Sequence, residues 1–240
     1  MSYFHEKSYI QALNQFTHIL DQKGTTDTGI LSAFMISRSY QRIRNYAAAI
    51  NNLIYLQQMA DDKTLADKIF YQLGWLYLES GDFSQARIAF SNISIANQGA
   101  YDTKKIHADL SASAEILQKN PLTAGILSII PGGGYLYCGR YRDAFTAFLV
   151  NSALIYGAYE CFNEDLYALG GMISALELGF YAGNIYGGVS SAHKFNLRQQ
   201  NEFVQNLKKK YNPDAHSTLN LNLSMRIQSD DILLGMTYRF

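Results

Sequence analysis

A repeat of 37 residues in the first hundred positions limits the folds open to this chain more than any other feature. Four columns recur at this period: Tyr3, Tyr40 and Tyr77; Tyr9, Tyr46 and Phe83; Ala12, Ala49 and Ala86; Phe16, Leu53 and Phe90. Within one unit, Phe83, Ala86 and Phe90 follow each other at i, i+3 and i+7, the spacing of one helix face. A fixed period of this length is typical of stacked helix pairs. We therefore predict an all-α solenoid over residues 1–97, with Met1 inside a truncated first repeat.

The third unit, residues 70–90, resembles the tetratricopeptide (TPR) family. The positions that carry the resemblance are Gly74, Tyr77, Gly81, Phe83, Ala86 and Phe90. The second unit departs from the pattern, because Ser37 stands at the small position and Arg44 at the turn. The resemblance implies paired helices whose groove binds a protein or peptide partner. We predict that a further helix within residues 98–120 caps the solenoid and links it to the rest of the chain.

Charge divides the chain sharply into three parts. Residues 1–120 carry 22 charged side chains, residues 121–192 carry seven, and residues 193–240 carry eleven. Overall, 17% of the residues are charged, against about 25% in ordinary soluble domains. Twenty basic residues balance twenty acidic ones, so nothing in the net charge indicates a nucleic-acid partner. We predict a small membrane domain over residues 121–193.

Two long apolar segments within this domain predict a helical hairpin. Residues 144–162 carry a single charge, Glu160, and match the length of helix that crosses a hydrocarbon core of about 30 Å. A polar turn follows at residues 163–165, and residues 166–192 contain one internal charge, Glu177. A carboxylate inside an apolar helix is costly unless paired, so Glu177 is either a functional group or hydrogen-bonded within the bundle, where Tyr181 and Asn184 are near in sequence.

Three glycines recur every four residues in the second apolar segment: Gly179, Gly183 and Gly187. Such ridges allow the close approach of two helices in membranes. We predict that the ridge packs against residues 144–162 or against a second copy of the chain. A crevice for a ligand is the alternative.

A glycine-rich loop precedes the hairpin, and its motif residues are Pro131, Gly132, Gly134, Tyr137, Gly139 and Arg140. The loop resembles the turn of TM2-like two-helix membrane domains, and more closely a PGxGxxYxGRY-type motif that follows TPR repeats in a group of bacterial membrane proteins. This resemblance covers residues 119–194 and implies a place in the bacterial cell envelope. No Lys-Ser/Thr pair follows the glycines, so a phosphate-binding P-loop is not indicated.

The tail combines two different patterns. Residues 194–212 predict a polar helix that ends in three lysines, and the positive-inside rule would place this basic side in the cytoplasm. Residues 213–240 alternate apolar and polar positions in two runs, which predicts a β-hairpin. A last strand ending at Phe240 resembles the signal of outer-membrane barrel proteins, which act on the other side of the membrane. The sequence leaves the side of the repeats open.

No constellation of catalytic, metal-binding or cofactor-binding residues is present, so we expect neither an enzyme nor a cofactor. The leading hypothesis is a membrane-anchored TPR scaffold that contacts a protein or peptide in bacterial envelope assembly, with lipid and a second copy as further partners. The alternative is a small oligomeric transport or channel-like component that uses Glu177. A soluble repeat protein that buries its apolar helices is a third interpretation.

Overall fold

The computed structural model describes residues 8–60, 62–111, 117–211, 221–228 and 231–238. Two residues that anchor the predictions, Tyr3 in the first column and Phe240 in the final strand, lie outside these ranges. So does much of the segment between the predicted cap and the apolar domain, residues 112–116.

Most of the described residues between 9 and 211 are helical, so the helical fold class predicted from the sequence is confirmed. The helices are α1 (Tyr9–Lys23), α2 (Asp27–Arg42), α3 (Tyr46–Gln58), α4 (Lys63–Ser80), α5 (Phe83–Ser91), α6 (Thr103–Ser111), α7 (Pro121–Leu127), α8 (Gly133–Tyr137), α9 (Tyr141–Asn163) and α10 (Tyr167–Tyr211). Two strands follow, β1 (Leu221–Gln228) and β2 (Asp231–Tyr238), paired antiparallel with Leu221 opposite Tyr238.

The chain forms two compact units. Unit 1 comprises Met1–Ala114 and Val204–Phe240, and unit 2 comprises Glu115–Phe203. Helix α10 runs without a break through residues 193 and 194, where the sequence analysis separates an apolar segment from a basic helix. No proline or glycine interrupts the chain between Gly188 and Tyr211, so nothing local ends the helix there.

Within unit 1, each helix packs against the next along the chain, from α1 to α6. The helix starts are capped by side chains: Asn45 accepts from the Ala48 amide at 3.2 Å, and Asp82 accepts from the Gln85 amide at 3.0 Å. These caps satisfy amides that have no partner inside the helix. Local residues therefore determine where each helix of the pair begins.

Burial in unit 1 follows the 37-residue period. Ala12, Ala49 and Ala86 are all buried, as are Phe16, Leu53 and Phe90, whereas Tyr9, Tyr46 and Phe83 are all half-buried. Each column therefore meets the same environment in every unit. This is the pattern expected when successive helix pairs stack in the same way.

The two departures of the second repeat from its pattern have physical explanations. A Cβ on Gly74 would lie 2.5 Å from ring atoms of Phe90. In the second unit the smaller Leu53 replaces that phenylalanine, and Ser37 occupies the glycine position, donating a hydrogen bond of 3.1 Å to the Ala49 carbonyl. At the turn, Arg44 adopts the left-handed conformation, with φ of 62°, that Gly81 adopts with φ of 88°.

Unit 2 exposes large apolar side chains at its surface, whereas unit 1 buries residues of the same kind. Its fully buried apolar cluster is small, consisting of Ala124, Cys138 and Ala192 with Tyr137 packed against it. Most of the exposed large apolar side chains of the described chain lie here, including Phe145, Phe148, Tyr156, Met172 and Leu178.

Among the described residues, no helix combines the length and the mean hydropathy of a segment that crosses a membrane. The interpretation of residues 144–162 as a spanning segment is therefore not supported by the structure. The physical reason lies in polar residues along α9, among them Thr146, Asn151, Ser152 and Glu160, which lower the mean hydropathy of an otherwise apolar helix.

Candidate functional site

The glycine-rich loop of unit 2 is held in place by α10. The Asn184 side chain accepts a hydrogen bond from the Gly132 amide at 2.9 Å and donates one to the Ser128 carbonyl at 2.7 Å. The Tyr181 hydroxyl donates to the Ile129 carbonyl at 2.8 Å. Gly132 has φ of 86°, and a Cβ there would collide with the Ala144 carbonyl. The loop needs glycine at this position to pass α9 closely.

Arg140, the last residue of the predicted motif, joins three elements of unit 2. Its Nε donates to Asp143 Oδ2 at 2.7 Å, and its Nη1 donates to the Ser191 hydroxyl at 2.9 Å. The guanidinium also lies 5.3 Å from the centre of the Tyr135 ring. These three contacts connect α8, α9 and α10, so Arg140 holds the three helices in position.

Tyr137 supports the same framework from the other side. Its hydroxyl accepts a hydrogen bond from the Asn120 amide at 3.2 Å, and the Lys119 ammonium lies 4.6 Å from its ring centre. The Asn196 side chain closes the arrangement by pairing with both backbone groups of Lys119, at 2.7 Å and 2.8 Å. Gly134 packs closely on Gly188 of α10, since a Cβ there would lie 2.9 Å from the Gly188 Cα.

The glycine ridge does not pack as a unit against α9. A Cβ on Gly179 or Gly183 would meet no heavy atom within 4 Å, and only Gly187 is in close contact, with the Tyr135 hydroxyl. Within one chain, Gly179 and Gly183 therefore have no packing partner on residues 144–162. The reason is that α9 and α10 face each other across a cavity at this level. Packing of the ridge against a second copy stays a prediction.

This cavity has a volume of about 540 Å³. Its walls are Tyr135, Asp143, Thr146, Ala147, Val150, Asn151, Leu176, Gly179, Phe180, Gly183 and Asn184. Two of the three ridge glycines form part of the wall, and the absence of their side chains makes the space. A cavity of this volume with apolar walls and few polar groups has the dimensions of a small-molecule site.

Three buried acceptor atoms of α9 and α10 have no hydrogen-bond partner among the described residues, and of the two residues that carry them only Asn151 lines the cavity. They are Oδ1 of Asn151, which is 2% exposed, and both carboxylate oxygens of Glu177, which is 8% exposed. The suggestion that Tyr181 and Asn184 satisfy Glu177 is wrong, because their polar groups bind the loop backbone instead. Glu177 is thus left as a buried acid whose oxygens are unpaired, an expensive arrangement for a side chain without a role.

Sequence reasoning missed Asn151 and Ser191 and gave Asn184 the wrong partner. A signal for them was present: Gly170, Glu177, Asn184 and Ser191 recur every seven residues on α10, and Ala144, Asn151 and Ala158 do so on α9. All seven are buried. A seven-residue recurrence of small and polar residues marks one face of a helix, and it would have identified the buried seam of this hairpin.

In unit 1, the end of α10 forms a second candidate site. We call residues 204–211 the α10 terminus. Val204, Leu207 and Tyr211 are buried in unit 1. Lys208 forms an ion pair with Glu79 of α4, and Lys210 pairs with Asp109 of α6 at 2.6 Å. The basic residues of this segment thereby form ion pairs with α4 and α6, and its apolar residues are buried.

Asp109 receives two donors at this seat, from Lys210 at 2.6 Å and from the Tyr211 hydroxyl at 2.7 Å. Hydrogen bonds from Lys210 and then from Tyr211 hold the pKa of Asp109 below its ordinary value. Beside Glu79, a small cavity of about 210 Å³ is lined by Gln41, Arg42, Arg44, Tyr46, Glu79 and Lys208. Its three cations against one carboxylate give this edge of unit 1 a positive charge.

Within the described ranges, no three His, Cys, Asp or Glu side chains lie together as ligands for a metal ion. Comparison with known proteins adds no assignment: no family model, no curated protein and no solved structure matches the chain. The candidate sites are therefore judged on their geometry and chemistry.

Proposed function

We propose that the protein is a membrane-attached adaptor, in which a TPR-type solenoid in unit 1 binds a protein partner and unit 2 attaches it to a lipid bilayer. The observation that carries the proposal is the contrast in exposure between the units. Unit 1 buries its large apolar residues at regular intervals, and unit 2 presents them at its surface. A surface of that kind is characteristic of sites covered by lipid or by protein.

The α10 terminus supports a partner-binding role for unit 1. Glu79 of α4 and Asp109 of α6 form ion pairs with this helical segment, and its residue Leu207 is buried. We propose that the partner supplies a segment of the same chemistry, apolar on one face and basic at its edge, which competes for this seat. Helical repeat proteins use extended faces of this type for recognition.

A peptide offered in trans tests this half of the proposal. In full-length protein, Leu207→Asp weakens the seating of the α10 terminus, because Leu207 is buried there. A labelled peptide of residues 200–211 should then bind more tightly than to the unaltered chain, measured by fluorescence anisotropy. A peptide with Lys208→Glu and Lys210→Glu is the matched control. Equal binding of the two peptides would remove the proposed ionic recognition.

For unit 2, we propose that the hairpin of α9 and α10 inserts its apolar surface into the bilayer. Helix α9 has 23 residues, with Tyr141 near its start and Tyr159 near its end, and aromatic side chains of this type favour the two faces of a membrane. The bacterial cell envelope is the proposed location. We assign the C-terminal β-hairpin to pairing with a partner sheet, since two strands alone are marginally stable in water.

Vesicle flotation tests the attachment. Purified full-length protein should rise with phosphatidylcholine vesicles in a density gradient. The double variant Phe145→Ser and Phe148→Ser should reduce the floating fraction, because both rings are exposed on α9. The matched control is Ile10→Ser with Ile88→Ser, which removes two exposed apolar side chains from unit 1. Protein that stays at the bottom of the gradient, or equal loss in both variants, would contradict the assignment.

A second candidate function, an oligomeric transport or channel-like component, is favoured by one observation. Asn151 and Glu177 are buried, with unpaired oxygens, on the two helices that line an open cavity. Unpaired polar groups in such a position mark pathways in membrane proteins. Proteoliposomes loaded with a pH-sensitive dye would show a proton or cation flux that Glu177→Gln abolishes, whereas an adaptor gives no flux with either protein.

A further inference from the structure

We propose that the cavity of unit 2 binds an amphipathic amine: a molecule with one alkyl or aryl body and a protonated amino group. The proposal goes beyond the adaptor role, because it assigns a small-molecule ligand to a site that neither protein binding nor membrane attachment requires. It stands on three observations: the shape and lining of the cavity, the kind of polar atom left without a partner, and the charges nearby.

The lining favours an apolar body of limited width. Val150 and Ala147 of α9 face Leu176 and Phe180 of α10, and the bare backbone at Gly179 and Gly183 leaves the space between them open. The volume of about 540 Å³ lies within the range of small-molecule sites. A leucine at Gly183 would extend directly into this space.

The unpaired polar atoms identify the other end of the ligand. Asn151 uses its amide nitrogen to donate to the Ala147 carbonyl at 2.6 Å, which leaves its oxygen as a free acceptor. Both oxygens of Glu177 are also free acceptors. No amide or hydroxyl donor on the cavity wall is unpaired in the same way. Asn151 lines the cavity, so an occupant that pairs with its free oxygen must bring a hydrogen-bond donor, and an ammonium group brings three.

The charged residues near the cavity favour an amine over a fatty acid or an alcohol as its ligand. Glu177 is not itself a lining residue, but on α10 it lies one position beyond Leu176 and seven before Asn184, both of which line the cavity. Among the described lining residues none is basic, and the acidic Asp143 is already paired with Arg140. A carboxylate ligand would add a second negative charge beside Glu177, whereas an ammonium would supply the missing counter-ion.

The test is calorimetric titration of full-length protein with decylammonium, using decanoate and decanol as probes of equal chain length. Decylammonium should bind with a stoichiometry of one, and decanoate should show no binding. Glu177→Gln should weaken decylammonium binding by at least about tenfold, because it removes the buried counter-charge, and should leave decanol unchanged.

Two glycine variants locate the site. Gly183→Leu should abolish binding of decylammonium, and Gly157→Leu on α9 should leave it intact. The pair is matched, because a Cβ at either position meets nothing within 4 Å and Gly157 does not line the cavity. Failure of decylammonium to bind, binding unaffected by Gly183→Leu, or equal affinity in the Glu177→Gln variant would each overturn the proposal. The last result would mean that the carboxylate of Glu177 is not the counter-ion of the ligand.

These outcomes are independent of the adaptor proposal. Vesicle flotation and peptide binding report on the outer surface of unit 2 and on the α10 terminus in unit 1. A chain that floats and binds peptide without taking up decylammonium would refute the ligand alone. A chain that binds decylammonium without floating would refute the membrane attachment alone.

Discussion

The helices of unit 1 and the helices of unit 2 place their large apolar residues in opposite ways. In unit 1 the wide faces of α2, α3 and α4 meet in a continuous cluster that includes Leu53, Ile69 and Leu73. In unit 2 the buried seam of α9 and α10 is narrow and partly polar, and the aromatic residues face outward. The comparison teaches that helix content alone does not determine a core; the width and chemistry of the buried face do.

The seam of unit 2 also shows how polar groups replace apolar packing. Asn184 and Arg140 each connect α10 to the loop or to α9 by two hydrogen bonds, at distances between 2.7 Å and 2.9 Å. Hydrogen bonds to charged groups and in buried positions contribute individually about 1 to 3 kcal/mol. Unit 2 is therefore specified by a few polar contacts, and unit 1 by many apolar ones.

The largest expected effect comes from removing one phenylalanine from each unit. Phe90 is 0% exposed in unit 1, and Phe148 is 50% exposed in unit 2. Phe90→Ala should lower the free energy of unfolding by about 3 to 5 kcal/mol, since it leaves a cavity in a packed core. Phe148→Ala should change it by less than about 0.5 kcal/mol. Urea unfolding followed by circular dichroism measures both, and equal losses would break the comparison.

The next largest expected difference in stability is between alanine substitutions at two glycines of α10, both in unit 2. A Cβ on Gly188 would collide with the Ser128 hydroxyl and lie 3.2 Å from the Gly134 Cα. Gly188→Ala should destabilise the protein by about 1 to 3 kcal/mol through overpacking. Gly183→Ala should instead stabilise it by up to about 1 kcal/mol, because alanine is the better helix former and the space is open. Thermal melts of both variants check the opposite signs.

The turn at Arg44 tests whether the repeats of unit 1 are interchangeable. Its φ of 62° is a left-handed conformation, which is strained for a residue with a side chain but not for glycine. Arg44→Gly should stabilise the protein by about 0.5 to 1 kcal/mol, as measured by urea denaturation. The reverse exchange, Gly81→Arg at the equivalent turn, should destabilise it by a similar amount. A neutral result at both turns would contradict the equivalence.

The smallest expected effect is a pH dependence of the α10 terminus. Because the folded pKa of Asp109 is lowered by Lys210 and Tyr211, its contribution is fully present above the unfolded pKa of about 3.9 and is lost as the pH falls through the folded value. For a partly exposed pair the contribution is about 0.2 to 1 kcal/mol. Asp109→Asn should therefore lower the melting temperature at pH 7 and make no difference near pH 2. A constant difference at both values would rule out the ion pair as its source.

The repeat columns were the most predictable part of the fold. Ala49 and Ala86 are buried and Tyr46 and Phe83 half-buried as equivalent positions, because the same short pattern creates the same helix face in each unit. The loop motif around Gly132 and Arg140 was found from the sequence, but its partners were not. They lie about fifty residues further along the chain, on α10, and no local pattern connects the two segments.

The sequence by itself determined the helical character of the chain, the 37-residue recurrence of burial in unit 1 and the apolar character of unit 2. These follow from interactions between residues a few positions apart, such as caps, turns and helix faces. Only the tertiary structure decided that Gly179 and Gly183 border a cavity, that Asn184 binds the loop and leaves Glu177 unpaired, and that the α10 terminus lies on α4 and α6. Each of these depends on the distance between two segments that are far apart in sequence. All the side chains between those segments set that distance, so no single segment of the sequence encodes it.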